Sequence, residues 1–131
     1  MLEQIRALLK EGMVDLDERV YLVGGVPNKG PLPYLLVYSM QPVPIRSMAR
    51  PEGARRFRFG VTVVDLGAEH IEDDADRVET ILEGSRILGA SSRIELVSRG
   101  PALREPEVTS DGQEYVSLPL HFTTTIPRGT A

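Results

Sequence analysis

The chain has no cysteine and no tryptophan, only two histidines, and no apolar run of the length a bilayer span needs. Each absence closes off a class of chemistry. Without cysteine there are no disulfides, no thiolate metal sites and no thiol redox centre. With aromatics at 5% of residues, no row of rings offers itself for stacking single-stranded bases. A membrane span needs about 20 consecutive apolar residues, and the start Met1-Leu2-Glu3-Gln4-Ile5-Arg6 reads as an amphipathic helix, not as a secretory signal. No membrane partner is expected, and a cytosolic life fits the chain. The formal net charge of −4 argues against a protein that grips nucleic acid over most of its surface, because such a grip depends on neutralising phosphates.

What remains is an ordinary globular composition, 41% hydrophobic and 26% charged over 131 residues. That length supports one domain, 1–131, with a hydrophobic core and no staples, and 127–131 reads as a flexible tail. Leu2, Ile5, Leu8 and Leu9 recur at helical spacing, with Gly12 as a stop. Residues 20–23 and the apolar run 34–40 read as strands on either side of a Gly/Pro-rich connection. In 55–64, Phe57, Phe59, Val61 and Val63 alternate with polar or small residues, the period of a strand with one buried face. If that strand pairs with 34–40, the proline-rich stretch 41–54 becomes the tip of a long projecting hairpin. Asp73 or Asp74 caps a second helix whose inner face is Ala75, Val78, Ile81 and Leu82, with Gly84 ending it. Two further strands, 94–97 and 115–126, follow, and Pro119 marks a bulge or an edge in the last. The expected fold is α+β: a mostly antiparallel sheet of four to five strands with two helices packed on one face.

The most informative local feature is a charge boundary. Arg46, Arg50, Arg55, Arg56 and Arg58 crowd the hairpin segment, and an acidic stretch from Asp65 to Glu83 follows at once. Separate basic and acidic surfaces suit a protein that meets another protein, including another copy of itself.

Catalytic patterns are absent. His70 lies among Glu69, Glu72, Asp73 and Asp74, but acidic residues at a helix start are ordinarily a response to the helix dipole. The loop 24–30 fails as a phosphate cradle: Lys29 is followed by Gly30 and Pro31 instead of a hydroxyl residue, and Pro27 and Pro31 remove backbone donors. Ser85, Ser91, Ser92 and Ser98 lack a nucleophile-elbow motif. No catalytic residue, metal or cofactor is expected.

Read in order, the amphipathic first helix, Arg19-Val20-Tyr21, the Gly/Pro loop, Leu32-Pro33-Tyr34-Leu35-Leu36-Val37-Tyr38, the alternating strand, the helix ending at Glu83 and the last two strands resemble the tail terminator, or tail completion, proteins of long-tailed bacteriophages and phage-like elements. The likeness runs from about Leu2 to Ile126 and rests on soft patterns. It implies a structural virion protein and no enzyme: six copies closing into a ring that caps the tail tube, ends its polymerisation and joins the tail to the head connector. The implied partners are the chain itself, the tail tube protein and the connector or neck protein, with DNA only as cargo passing through the channel. The implied place is the head-proximal end of the tail, after assembly in the host cytoplasm. For the subunit or tube contact, Arg46, Arg50, Arg55 and Arg56 are the expected basic side, with Asp73, Asp74, Asp76 and Glu79 as its acidic complement; those carboxylates could instead line the channel. The alternatives are a neck protein that joins connector to tail without ending the tube, a small ligand-binding α+β domain, and a DNA-binding module using 46–58.

Overall fold

The computed structural model describes residues 2–13, 19–22, 33–44, 55–66, 70–87, 89–90, 92–108 and 114–126. They form α1 (Leu2–Gly12), β1 (Val20–Leu22), β2 (Tyr34–Pro44), β3 (Arg55–Leu66), α2 (Ile71–Leu82), β4 (Glu95–Arg99), β5 (Leu103–Val108) and β6 (Glu114–Ile126). The strands make one sheet in the order β1-β2-β3-β6-β4, with β5 also on β6. Among the described residues only the β1–β2 pair is parallel. The fold is α+β, as the sequence pattern predicts.

The longest strands sit side by side at the centre. β3 and β6 pair without interruption from Arg55↔Ile126 to Leu66↔Tyr115. Because side chains alternate along a strand and cross-strand partners share a face, this register puts Phe59, Val61 and Val63 beside Phe122, Leu120 and Leu118. On the other flank it puts Leu35 and Val37 of β2 beside Val63 and Val61. Both helices close over that face, α1 over β1 and β2, α2 over β3 and β6. The core joins this sheet face to Ile5 and Leu9 of α1 and to Ile71, Ala75, Val78 and Leu82 of α2. Phe57, Phe59 and Phe122 stack in sequence, with centroids 5.6 and 5.4 Å apart. Burial of each large side chain contributes roughly 1.5–3 kcal/mol, so this single cluster outweighs every polar contact in the molecule.

Five details differ from the sequence reading. α2 begins at Ile71 with His70 at the N-cap and no side-chain cap hydrogen bond; Asp73 and Asp74 lie in its first turn, where they meet the helix dipole instead of a cap position. β2 runs on to Pro44, absorbing Pro42 through a register shift between Met40 and Val43, so the hairpin connection narrows to 45–54, outside the described residues. β5 lies in what reads as a linker, because Pro106 masks the strand pattern. β4 runs from Glu95 to Arg99, two residues past the expected end.

The fifth is Pro119, which stands in an interior strand, where its missing donor would ordinarily break a ladder. Its carbonyl accepts from the Gly100 N–H at 2.9 Å, and the N and O of one strand residue point to the same side. The missing donor therefore falls at the gap between β4 and β5, where no regular pairing needs it. A Cβ on Gly100 would stand 2.8 Å from Pro119 Cγ, so only glycine lets the chain cross there.

The sheet's other face carries no described helix. Tyr38 lies across Gly60, where a Cβ would fall 2.5 Å from Tyr38 Cε2. The Tyr38 hydroxyl is 3.3 Å from Thr62 Oγ1 and 3.5 Å from His121 Nε2, and His121 Nδ1 is 3.2 Å from Ser98 Oγ. Four strands thus share one row of neutral polar groups. Gly60→Ala should overpack this row and destabilise the protein by about 1–3 kcal/mol, read as a lower urea midpoint at unchanged slope. Adding Tyr38→Ala should return most of that increment relative to Tyr38→Ala alone; full additivity would show that the ring is not what Gly60 accommodates.

Candidate functional site

α2 is amphipathic, with Ile71, Asp74, Ala75, Val78 and Leu82 inward and Glu72, Asp73, Asp76, Thr80 and Glu83 exposed along and just beyond it. The helix forms because the apolar residues fall at helical spacing. Gly84, at φ +84°, ends it. The Gly84 N–H donates to the Ile94 carbonyl at 2.9 Å and the Ile94 N–H to the Ser85 carbonyl at 2.7 Å, which steers the chain toward β4.

Arg99, at the end of β4, reaches the acidic helix. Its guanidinium contacts Glu72 Oε2 at 2.5 Å, Asp76 Oδ1 at 2.6 Å and Glu79 Oε1 at 3.3 Å, and also donates to the Glu72 carbonyl. The hydrogen bond that Arg99 donates to Asp76, foremost, with those to Glu72 and Glu79 behind it, raises the Arg99 pKa above its ordinary value against the opposing effect of burial. The guanidinium is therefore charged at every pH where the protein is folded. One cation among three carboxylates leaves the group net negative. Glu72 and Asp76 keep 57% and 65% of their side-chain surface in solvent, so they remain open to a partner.

The expected contact residues divide as follows. Asp73 is exposed, and Asp76 and Glu79 are held by Arg99 of the same chain. Asp74 turns inward, 8% exposed, with Arg77 Nη1 3.8 Å from its Oδ1; its burial withdraws it from the outer surface of the helix. Arg56 is exposed on β3, Arg55 lies on the same strand with its side chain outside the described set, and Arg46 and Arg50 fall outside the described residues. The loop 24–30 is outside them as well. Arg56 and Arg58 pair in register with Thr125 and Thr123 and so belong to the sheet face opposite the helices. The two charges stand on opposite sides of the molecule: basic on the open face of β3, acidic on the outside of α2.

Sequence reasoning missed Arg99. The reason is a register shift between Leu96 and Ser98. Strict alternation from Leu96 would put Arg99 on the open face; the shift sets Ser98 opposite His121 and Arg99 opposite Leu120, on the helix side. A bulge of this kind has no reliable sequence sign.

Among the described residues, no group of three or more histidine, aspartate or glutamate side chains is arranged to hold a metal ion. His121, with Ser98 on one nitrogen and Tyr38 on the other, is a structural link in the open-face row.

Arg99→Met should cost on the order of 1 kcal/mol, since partly exposed ion pairs contribute a few tenths each. The loss should shrink in 1 M salt, where the Debye length falls to about 3 Å. Chemical denaturation by urea at two salt concentrations reads it, and an equal loss at both would assign the effect to lost packing of the arginine stem.

No family model matches the chain, and no curated protein sequence matches it significantly. Among solved structures, a chain from the virion of a native gene transfer agent particle aligns with a TM-score of 0.67 at 17% identity, over 97% of this chain and 94% of that one. A second solved structure aligns with a TM-score of 0.52 at 19% identity over 95% of each chain. At these identities the likeness is one of fold, and it extends over nearly the whole of both chains.

Proposed function

We propose that this chain is a non-enzymatic structural protein of a phage-like particle, acting by docking onto other virion proteins. The observation that carries the reading is the chain-length fold likeness to a chain of a gene transfer agent virion. The layout of the molecule supports it: a continuous core holds two oppositely charged surfaces apart. Within that class, the order of elements and the Arg19-Val20-Tyr21 and 32–38 patterns favour a tail terminator. Copies close into a ring, six by analogy with that family, on the head-proximal end of the tail tube. The ring stops tube growth and meets the head connector. DNA passes through it without being read.

The mechanism is mechanical. A head-to-tail contact uses two different patches on each subunit, and once the circle closes no patch is left for lateral growth. Charge sets orientation and rejects wrong partners, while apolar contacts supply most of the affinity.

Native mass spectrometry of the protein alone and with its tube protein tests this. The expected result is a closed oligomer in at least one condition, together with shorter tubes under the electron microscope. A protein that stays monomeric in both, leaves tube length unchanged and is absent from purified particles would overturn the reading.

A further inference from the structure

Resting on the ring reading above, we infer that the sheet face opposite the helices of one copy, at Arg56 and Arg58, seats the outer face of α2 of the next copy, at Glu72, Asp73, Asp76 and Glu83. Four observations converge on this pairing.

The first is unmatched charge. Among the described residues Arg56 and Arg58 have no carboxylate partner, and neither Asp73 nor Glu83 has a cation. Glu72 and Asp76 share one guanidinium with Glu79. Glu95 is the acidic residue on the far border of the open face, in register with Thr123 on β6, opposite Arg58 on the other side of that strand. Two strand spacings, about 10 Å, separate it from Arg58, within the joint reach of the two side chains, and yet no ion pair joins them.

The second is shape and polarity. The Tyr38 ring fills the space over Gly60 in the middle of the face, and the row of Tyr38, Thr62, His121 and Ser98 is neutral and internally hydrogen-bonded. A helix laid across that row meets no buried charge and leaves no polar group in the row newly orphaned. The basic end of the face then meets the acidic side of the helix.

Third, the sheet edges are poor docking sites. Exposed strand edges recruit other strands unless they are short, bulged or covered. β1 has three residues, and the Arg6 Nε–H donates to its Val20 carbonyl at 2.9 Å. On the opposite side, the register shift at Val97 and the break after Arg99 divide the edge into two short pieces. Beyond Val37 the β2 edge has no described strand beside it, but it carries Pro42 and Pro44, which lack the donors that an added strand would pair with.

Fourth, like surfaces repel. Helix against helix would oppose carboxylates, and sheet against sheet would oppose two guanidiniums on each copy with only Glu95 among the described residues to offset them, so a symmetric two-copy contact is disfavoured. Sheet against helix is heterologous, the kind of contact that repeats around a ring.

The test is a charge exchange between two variants, Arg56→Glu with Arg58→Glu, and Asp73→Lys with Glu83→Lys. All four positions lie outside the core cluster, and far-UV circular dichroism with thermal melting confirms folding of each variant. Association is read by native mass and sedimentation, alone and with the tube protein. Each variant alone should associate at least tenfold more weakly than wild type. Their equimolar mixture should recover assembly, because the acidic sheet of the first meets lysine at 73 and 83 of the second where it would otherwise meet carboxylate, and the reverse pairing keeps the native charges; the fourfold variant should recover it in a single chain. Either double variant assembling as wild type does, or a folded mixture that stays unassembled, overturns this interface while leaving the ring intact. Wild type that remains monomeric in both conditions removes the ring reading, and this contact with it.

Discussion

The pairing of β3 with β6 is the constraint on which the other contacts depend. It joins residues about half the chain apart in sequence along twelve consecutive register positions, and its helix-facing side chains, from Phe59 and Phe122 to Val63 and Leu118, are the floor on which both helices rest. β2 aligns on one side of this pair, and β4 and β5 divide the other. α2 links β3 to β4 while β6 lies between them, so β4 reaches its place only if β6 is already paired. Such long-range pairing bears the entropy of loop closure before its contacts form. The fold thus has a single non-local commitment from which the remaining placements follow.

Both charged surfaces are set by that floor. Alternation along β3 sends Phe57, Phe59, Val61 and Val63 to the helices and therefore Arg56 and Arg58 to the other face. The inward stripe of α2 places its acidic residues outward. Separation of the charges is a by-product of burying apolar side chains, and at roughly 1.5–3 kcal/mol for each large buried side chain the core dictates the arrangement. Arg99 works at a smaller scale. It fastens the edge strand to α2 and neutralises part of the acidic group, but a few tenths of a kcal/mol per partly exposed pair cannot redirect a strand.

Much of this was legible in the residues, for physical reasons that differ by element. The alternation of Phe57 to Val63 and the helical spacing of Val78 and Leu82 are direct consequences of burial, so strand, helix and α+β class could be read. Proline hid the rest. Pro42 and Pro106 lie inside real strands, accommodated by irregular register at Met40/Val43 and Arg104/Val108, and Pro119 sits where its missing donor faces a gap. Each depends on a neighbouring strand that a local reading cannot supply. The charge boundary was visible, but its division was not: Asp74 follows Asp73 by one position, and the 100° turn between them is the difference between the core and solvent. Arg99 was invisible because a single extra residue in β4 reverses the face on which it stands.

The same physics accounts for a fold that recurs while the sequence does not. What β3, β6 and the two helices require is apolar volume at alternating or helical positions, and many combinations of valine, leucine, isoleucine and phenylalanine satisfy that at similar volume. Identity is demanded at few positions, such as Gly60 beneath Tyr38 and Gly100 beside Pro119, where a Cβ has no room. Those restrictions depend on their particular neighbours: a chain with a smaller residue at 38, or no proline at 119, would be free of both. A sequence comparison that scores residue identity therefore sees little, whereas a backbone comparison sees the whole arrangement. In the contact we propose the charged faces are freer still, because docking requires complementarity between two surfaces and not a particular residue on either. In a head-to-tail contact both surfaces belong to one gene product, so a change on the sheet face can be answered by a change on the helix of the same chain, and the interface can drift in sequence while its geometry is kept.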